Sequence, residues 1–504
     1  MAIAPATPAG EAPAGGQSFG SPAYRMYVLL CLTFVYMLNF IDRSLLGVVA
    51  QPVIREFGLN DTQYGFLNGP PFAIFYALMG IPIAMLADRF NRVIIMAICI
   101  AVWSLMTALC GFATSFVFLL IARIGVAIGE AGGTPPSNSI IADYFKPKSR
   151  ANALGIFAMG VTIGTALANG FGGPIGQLSD EAVVSFFASV GLPDIHEQLG
   201  WGDNFGWRFA FIALGLPGVL VAILVLLTVK EPPRGFSDPP GTPKVAKANV
   251  VETLKELGSK PTFWTMSVGA ALVAFVGYGH FGFQAPMMNR LHGMGPGEFA
   301  LSYGVPLALV SAVGTFLGGY ITQLLSSRYV TSVAWVPAIG LVVCVPLYAY
   351  GFYMTPGPAQ LVVWGVGAVF HYAYLGAQYT IGQGVVSMRA RATAIAILLF
   401  IVALIGNGVG PQFLGIMSDT FMGMQIKSLD ASGLLTQAEC LQAVTGRGDP
   451  AAPMAAENLD VCKAAYGEGL RQAMLVQTLF FIPAAALFFL ASLTLKKDMV
   501  AKPV

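Results

Sequence analysis

The sequence predicts an all-α integral membrane protein of twelve transmembrane helices, arranged as two pseudo-symmetric six-helix bundles. Composition, the spacing of apolar runs and an internal echo each point that way. Of 504 residues, 56% are hydrophobic and only 10% charged, against roughly 25% charged in an ordinary soluble domain. No water-soluble fold uses that composition. The net charge of +2 leaves no basic stripe for nucleic acid, so none is expected as a partner.

A helix needs about 20 apolar residues to cross the hydrocarbon. Runs of that kind lie near 25–50, 63–86, 93–113, 115–142, 150–178, 207–229, 262–289, 298–325, 331–352, 358–386, 391–419 and 469–494. Residues 1–24, rich in Ala, Pro and Gly, read as a disordered cytoplasmic tail without a removable leader. Lys and Arg set the orientation. With the N-terminus cytoplasmic, the inner loops hold Arg89, Arg92, Lys146, Lys148, Arg150, Arg328, Arg389 and Arg391, and the tail holds Lys496, Lys497 and Lys502. The outer loops are nearly bare of them, with Arg55 and Arg290 as the main exceptions, and the longer ones at 179–206 and 420–468 are acidic on balance. Both termini are therefore expected in the cytoplasm, the chain being a multi-pass protein of a bacterial inner membrane.

A polar, Pro-rich stretch at 231–261 reads as a cytoplasmic linker between bundles at 25–230 and 262–495, leaving 496–504 as a cytoplasmic tail. The echo supports that division. Arg150-Ala-Asn-Ala opens a run that reaches Gly173-Pro174 and ends at Ser179-Asp180, and Arg391-Ala-Thr-Ala opens one that reaches Gly410-Pro411 and ends at Ser418-Asp419. Duplicated halves mark many secondary transporters, whose solute site lies near the midplane between the repeats.

The first run carries Asn39, Asp42 and Arg43 inside apolar sequence. A charge at the bilayer centre costs about 2.5–3.5 kcal/mol on insertion scales, so such residues need a polar cavity or a partner. Asp42 and Arg43 diverge by about 100° on a helix, while Asn39 shares a face with each. They are either functional charges or a structural ion pair with other helices. The fourth run places Arg123 and Glu130 two turns apart on one face, roughly 10 Å along the axis, too far to touch directly. Glycines around them let neighbouring backbones approach, whatever the charges do. Glu130 is a candidate proton carrier, because burial favours a neutral carboxyl and a nearby cation favours the charged one. Asp88, Arg89 and Arg92 follow the second run; they could lock helix ends in one state and release them in another, with Arg391 as partner of Asp88, or they could serve only as a topology anchor.

Here the sequence resembles a known family. The loop from Leu86 to Arg92 is similar to the signature loop of the major facilitator superfamily, with Ala84 and Asn91 where that pattern usually has glycines. The corresponding loop of the second half, Gly319 to Arg328, has Gln323 where the acid would stand. Within the superfamily, Asn39-Phe-Ile-Asp42-Arg43, Gly129-Glu130-Ala and the Asp88 loop resemble Spinster-type transporters and their bacterial relatives. The resemblance implies the major facilitator fold, proton-coupled transport of a lipid-like solute, Asp42 and Glu130 as protonation sites, and Arg43 as their cavity partner.

Other polar groups lie in the second half. His280 and His371 could relay protons or only hydrogen-bond within the bundle. Gln284, Gln378 and Asn407 could line a cavity or join helices. Cys440 and Cys462 share an outer loop, which in a Gram-negative host faces an oxidising compartment; a disulfide is expected there, with two free thiols as the alternative. Cys31, Cys99, Cys110 and Cys344 should remain thiols. No metal cluster, phosphate loop or nucleophile elbow occurs, so no cofactor, no metal and no enzymatic activity are expected.

The expected function is secondary active transport by alternating access: a proton-coupled carrier of a small amphipathic or lipid-like solute, with an anion as the first reading because Arg43 and Arg123 offer positive charge in an apolar cavity. Its expected partners are that solute, protons and membrane lipid, and it should act as a monomer. An uncoupled facilitator or multidrug-type exporter is the alternative within transport; a lipid scramblase or membrane-bound enzyme is the alternative outside it.

Overall fold

The structure, a computed structural model, describes residues 18–201, 204–237, 250–326, 328–430, 433–446 and 454–500. Most of the expected disordered tail, the linker from 238 to 249 and the final residues 501–504 lie outside them. Secondary structure among the described residues is helical throughout. Eleven helices are long and apolar enough to cross a membrane: α1 Pro22–Val48, α2 Asp61–Arg89, α3 Arg92–Gly111, α4 Phe116–Tyr144, α5 Pro147–Gly176, α6 Phe205–Thr228, α7 Pro261–His292, α8 Pro296–Ser326, α9 Ser332–Gly351, α11 Arg391–Leu429 and α12 Ala456–Asp498. The twelfth crossing, α10, is made of two pieces, Pro358–Tyr372 and Tyr374–Gly384. Its interruption at Ala373 coincides with a close backbone approach, since a Cβ on Gly318 of α8 would lie 2.4 Å from the Ala373 Cα. Neither piece reaches the roughly 20 residues that a crossing needs, but together they do.

The two halves repeat one packing scheme. α1 packs along α5 as α7 packs along α11; α3 lies against α4 and α6 as α9 lies against α10 and α12. The duplicated sequence signal has a backbone counterpart. π-helical turns at Ala168–Gly172 and Ala403–Val409 directly precede Gly173-Pro174 in α5 and Gly410-Pro411 in α11, and a third spans Ala300–Gly304 in α8. Proline lacks the N–H of the regular ladder, and a widened turn is one way a helix accommodates such a site.

The long loops expected at 179–206 and 420–468 are more ordered than loops. Asp180–Ser189 is helical, α11 continues to Leu429, Gln437–Thr445 forms a short helix, and α12 begins at Ala456 rather than near 469. Polar sequence hid these extensions from a hydropathy reading, but packing supports them. Met422, Ile426, Cys440, Cys462, Ala465 and Tyr466 form a satellite core, in which Cys440 and Cys462 are joined by a disulfide. The other four cysteines are free and buried.

At the end of the bundle remote from the N-terminus, the halves are sewn together along two seams. On one, α2 meets α11 backbone to backbone: a Cβ on Gly65 would lie 2.4 Å from the Pro411 carbonyl oxygen. There the Asp419 carboxylate accepts from the Asp61 and Thr62 amides at 3.1 and 2.8 Å and from the Thr62 hydroxyl at 2.6 Å, capping the start of α2. On the other, α5 meets α8, and Gln177 accepts from the Gly297 amide at 3.0 Å. Between the seams Arg290 of α7 grips Asp61 with two bonds of 2.6 and 2.7 Å, the side chains being 2% and 1% exposed. Ser418 donates to the same carboxylate at 2.6 Å, and the ring of Tyr466 lies 3.6 Å from the Arg290 guanidinium.

α2, α5, α8 and α11, which form the seams, are nevertheless the least buried spans: 17–35% of their apolar stretches is buried, against 44–67% in the other seven. Joined at one end and sparsely covered elsewhere, their inner faces border a cleft that opens toward the N-terminal end.

Two outcomes follow. Removing one partner of a buried ion pair costs about 3–5 kcal/mol, so Arg290→Ala should loosen the sewn end. Spin labels at Leu192 and Leu434, both exposed at that end, should then report longer distances; an unchanged distribution would show that the pair does not hold the seams. The Cys440→Ser/Cys462→Ser double variant should lose roughly 3 kcal/mol of stability on the chain-entropy account. Denaturation of the parent and the variant with equal midpoints would deny the staple any such role.

Candidate functional site

Where the cleft deepens, α1 and α4 bring four charges into the first half. Asp42, Arg123 and Glu130 are at most 2% exposed, and the Arg43 side chain is 16% exposed. Arg43 donates through Nε and Nη2 to the same oxygen, Glu130 Oε2, at 3.0 and 2.7 Å. Three rings enclose its guanidinium: Phe40 and Phe72 with centroids at 5.1 Å and Tyr76 at 4.9 Å. This cage supplies cation–π attraction where water is scarce. It arises simply from helical periodicity, because Phe40 precedes Arg43 by three residues on α1 and Phe72 and Tyr76 are four apart on α2.

The neighbouring carboxyl is held differently. Asp42 points toward Trp103 and Thr107 of α3, and its Oδ1 is buried with no hydrogen-bond partner among the described residues. Glu130 Oε1, Arg123 Nε, Trp103 Nε1 and Thr107 Oγ1 share that condition. Arg123 reaches the Asp42 backbone carbonyl at 3.4 Å and lies over the Phe72 ring at 5.1 Å. Asn39 stands beside Glu130. Buried polar atoms are ordinarily paired, so this concentration of unpaired ones around two acids and two cations sets the region apart from the rest of the core. The close approach of α3 and α4 depends on Gly129, where a Cβ would lie 2.6 Å from the Trp103 amide nitrogen.

The histidines lie elsewhere. His371 is within 3.2 Å of the Tyr348 hydroxyl and packs against Phe481, so its contacts tie α10 to α9 and α12. His280 is within 3.2 Å of the Met474 carbonyl and the Thr478 hydroxyl of α12. Gln378 is buried with Oε1 unpartnered among the described residues, Gln284 is half-buried in α7, and Asn407 sits in the π turn of α11.

At the N-terminal end, Arg92 is buried and bonded to Glu231, Ser139, Asp143 and the Pro232 carbonyl at 2.6, 2.7, 2.5 and 2.8 Å. Arg89 is exposed. Asp88 faces Arg234 of the linker at 3.9 Å, rather than the expected Arg391, whose Nε is buried without a partner among the described residues. Arg234 also donates to the Ala87 and Phe90 carbonyls at 2.7 and 3.0 Å, covering the end of α2. The open cleft accounts for the difference: α2 and α11 meet at the opposite end, so the linker is the nearer source of positive charge.

Sequence reasoning missed the aromatic cage and the Asp61–Arg290 pair. A signal for the pair was present, since Arg290 and Arg55 are the two cations that break the inside-positive pattern. Arg290 is bonded to Asp61, and Arg55 donates to Asn289 at 3.1 Å.

Comparisons with known proteins agree with this architecture. The Major Facilitator Superfamily profile matches residues 32–411. An MFS-type efflux pump of Mycolicibacterium smegmatis is 29% identical over 389 residues, 77% of this chain and 83% of its own. Protein spinster of Drosophila melanogaster is 26% identical, with 87% of this chain and 69% of that one covered. The sphingosine-1-phosphate transporter SPNS2 of Danio rerio is 25% identical over 77% and 75% of the two chains. A crystal structure of a bacterial homolog of the human lysosomal transporter Spinster, inward-facing and unoccupied, matches with a TM-score of 0.86 at 50% identity, covering 96% of this chain and 100% of the other. The chain belongs to the Major Facilitator Superfamily and is a transporter of the Spinster type.

Proposed function

We propose that this transporter couples protons to the movement of a small amphipathic, lipid-like anion by alternating access. The observation that carries the reading is the division of labour around Arg43. Both of its bonds fall on one oxygen of Glu130, while Glu130 Oε1 and Asp42 Oδ1 are buried with no hydrogen-bond partner among the described residues. With both acids ionised, Asp42, Arg43, Arg123 and Glu130 sum to zero; each proton added leaves one positive charge uncompensated. A proton on Glu130 weakens its hold on Arg43, the only one of the four that is appreciably exposed. Proton and anion therefore bind at different groups and favour one another. Transport of sphingosine-1-phosphate, the activity of the SPNS2 relative, is compatible with such a site. The efflux-pump relative supports a multidrug-type exporter as the second reading.

In the same reading the molecule lies in a bacterial inner membrane with both termini in the cytoplasm, in agreement with the Lys and Arg distribution. Bundles at 25–230 and 262–495 rock about the sewn ends, joined by a cytoplasmic linker at 231–261, in a monomer. The cleft then opens to the cytoplasm. Membrane potential supplies about 2.3 kcal/mol per charge per 100 mV.

Flux in reconstituted vesicles tests the proposal, with a fluorescent single-chain phosphate amphiphile as solute. Asp42→Asn and Glu130→Gln should abolish accumulation driven by a pH gradient and leave exchange of internal for external solute partly intact. Arg43→Ala should impair both. If both acid variants accumulate solute like the parent, the coupling assignment is wrong. Asp88→Asn, at an exposed helix end, should slow transport with little change in melting temperature; full flux in that variant would reduce the loop to a topology signal.

A further inference from the structure

Three tyrosines, Tyr36, Tyr76 and Tyr278, lie around Arg43, and a fourth, Tyr379, lies near all three of them. Tyr36 lies seven residues before it, two turns along the same face of α1. Tyr76 forms one wall of the cage. Tyr278 and Tyr379 come from α7 and α10, in the opposite half. The face of α7 that bears Tyr278 is the one turned to the first half: four residues on, the Gly282 carbonyl accepts from the Tyr64 hydroxyl at 3.0 Å, and a Cβ on Gly282 would lie 2.6 Å from Asn68 Nδ2. Arg43 is within electrostatic range of Tyr76 and Tyr278, Tyr36 of all three other tyrosines, and Tyr379 of Tyr278 and Tyr76.

Tyr36, Tyr76 and Tyr278 are half-buried and Tyr379 is exposed. Side chains from four helices that lie near one another, three of them beside Arg43, share a space inside the bundle, so they are not simply turned toward lipid. None of the four hydroxyls has a hydrogen-bond partner among the described residues, whereas Tyr64, Tyr144, Tyr303 and Tyr348 each have one. A guanidinium beside unpaired phenol donors matches an oxyanion, whose several lone pairs accept from both.

We propose that Tyr278 and Tyr379 donate hydrogen bonds to the oxyanion headgroup of a solute held by Arg43, with Tyr36 and Tyr76 completing the donor set from the first half. The solute then bridges the halves: its charge sits on the first and its remaining acceptors on the second. This deepens the anion reading of the cavity and rests on it. Because the second half contributes neutral phenols, it selects by hydrogen bonding and adds no charge to the protonation balance of α1 and α4.

The test is equilibrium binding to the full chain in nanodiscs, with monododecyl phosphate as the oxyanion probe and dodecyltrimethylammonium as a chain-matched cation. The parent should bind the phosphate at least tenfold more tightly than the cation. Tyr278→Phe and Tyr379→Phe, which remove only a hydroxyl, should each weaken phosphate binding by about tenfold, the range expected for one hydrogen bond to a charged group. Binding of the neutral chain-matched probe dodecyl maltoside should stay unchanged, as should the ligand-free melting temperature, which excludes a general loss of structure. If both Phe variants bind the phosphate like the parent while Arg43→Ala does not, the phenols are bystanders and the proposal fails, although the anion site stands. If Arg43→Ala also binds like the parent, or the cation binds as well as the phosphate, the anion reading itself fails.

Discussion

Everything in the central region follows from the cost of placing charge where water is scarce. Arg43, Asp42, Arg123 and Glu130 persist in apolar helices because the surroundings offset that cost in different ways. Arg43 has a carboxylate and three aromatic faces, and Arg123 has one ring and a backbone carbonyl. Asp42 has least: its Oδ1 has no partner among the described residues. The same constraint explains the small residues nearby, because α4 reaches α3 only where Gly129 allows backbone contact.

The remote end solves the same problem by full pairing. Asp61 has Arg290 and Ser418, Asp419 has the first amides of α2, and Tyr466 covers the guanidinium. A carboxylate at a helix start also meets the positive end of the helix dipole. The molecule thus separates a site whose buried polar atoms are incompletely hydrogen-bonded from a junction whose carboxylates are fully hydrogen-bonded. The first leaves buried acceptors without donors, whereas the second sets how much energy a rearrangement must supply.

Much of this was legible in the sequence, for reasons that differ by residue. Crossings were visible because lipid demands long apolar runs, and the repeat was visible because Gly-Pro pairs occupy matching places in α5 and α11. Asp42, Arg43 and Glu130 stood out because charge is rare within such runs. Their mutual geometry did not, because the Arg43–Glu130 contact joins residues 87 positions apart. The start of α12 at Ala456 was missed because its first turns are polar and are held by a satellite core instead of by lipid. Arg234 was missed because a linker was read by composition alone, and its role at the end of α2 is set by tertiary contacts. The tyrosines were missed because an aromatic in a membrane helix looks like ordinary packing until its hydroxyl is found without a partner.

The two seams are chemically unequal. On the α2–α11 side a carboxylate takes three donors at the start of a helix; on the α5–α8 side a neutral amide oxygen takes one. Hydrogen bonds to an ionised acceptor are roughly twice as strong as neutral ones, so parting the halves is harder along α2–α11. Opening of this end is then a peel: α5 leaves α8 first while α2 and α11 act as the spine of a book. The first gap to form is on the flank between α5 and α8, so this end opens sideways before any passage along the bundle axis has formed.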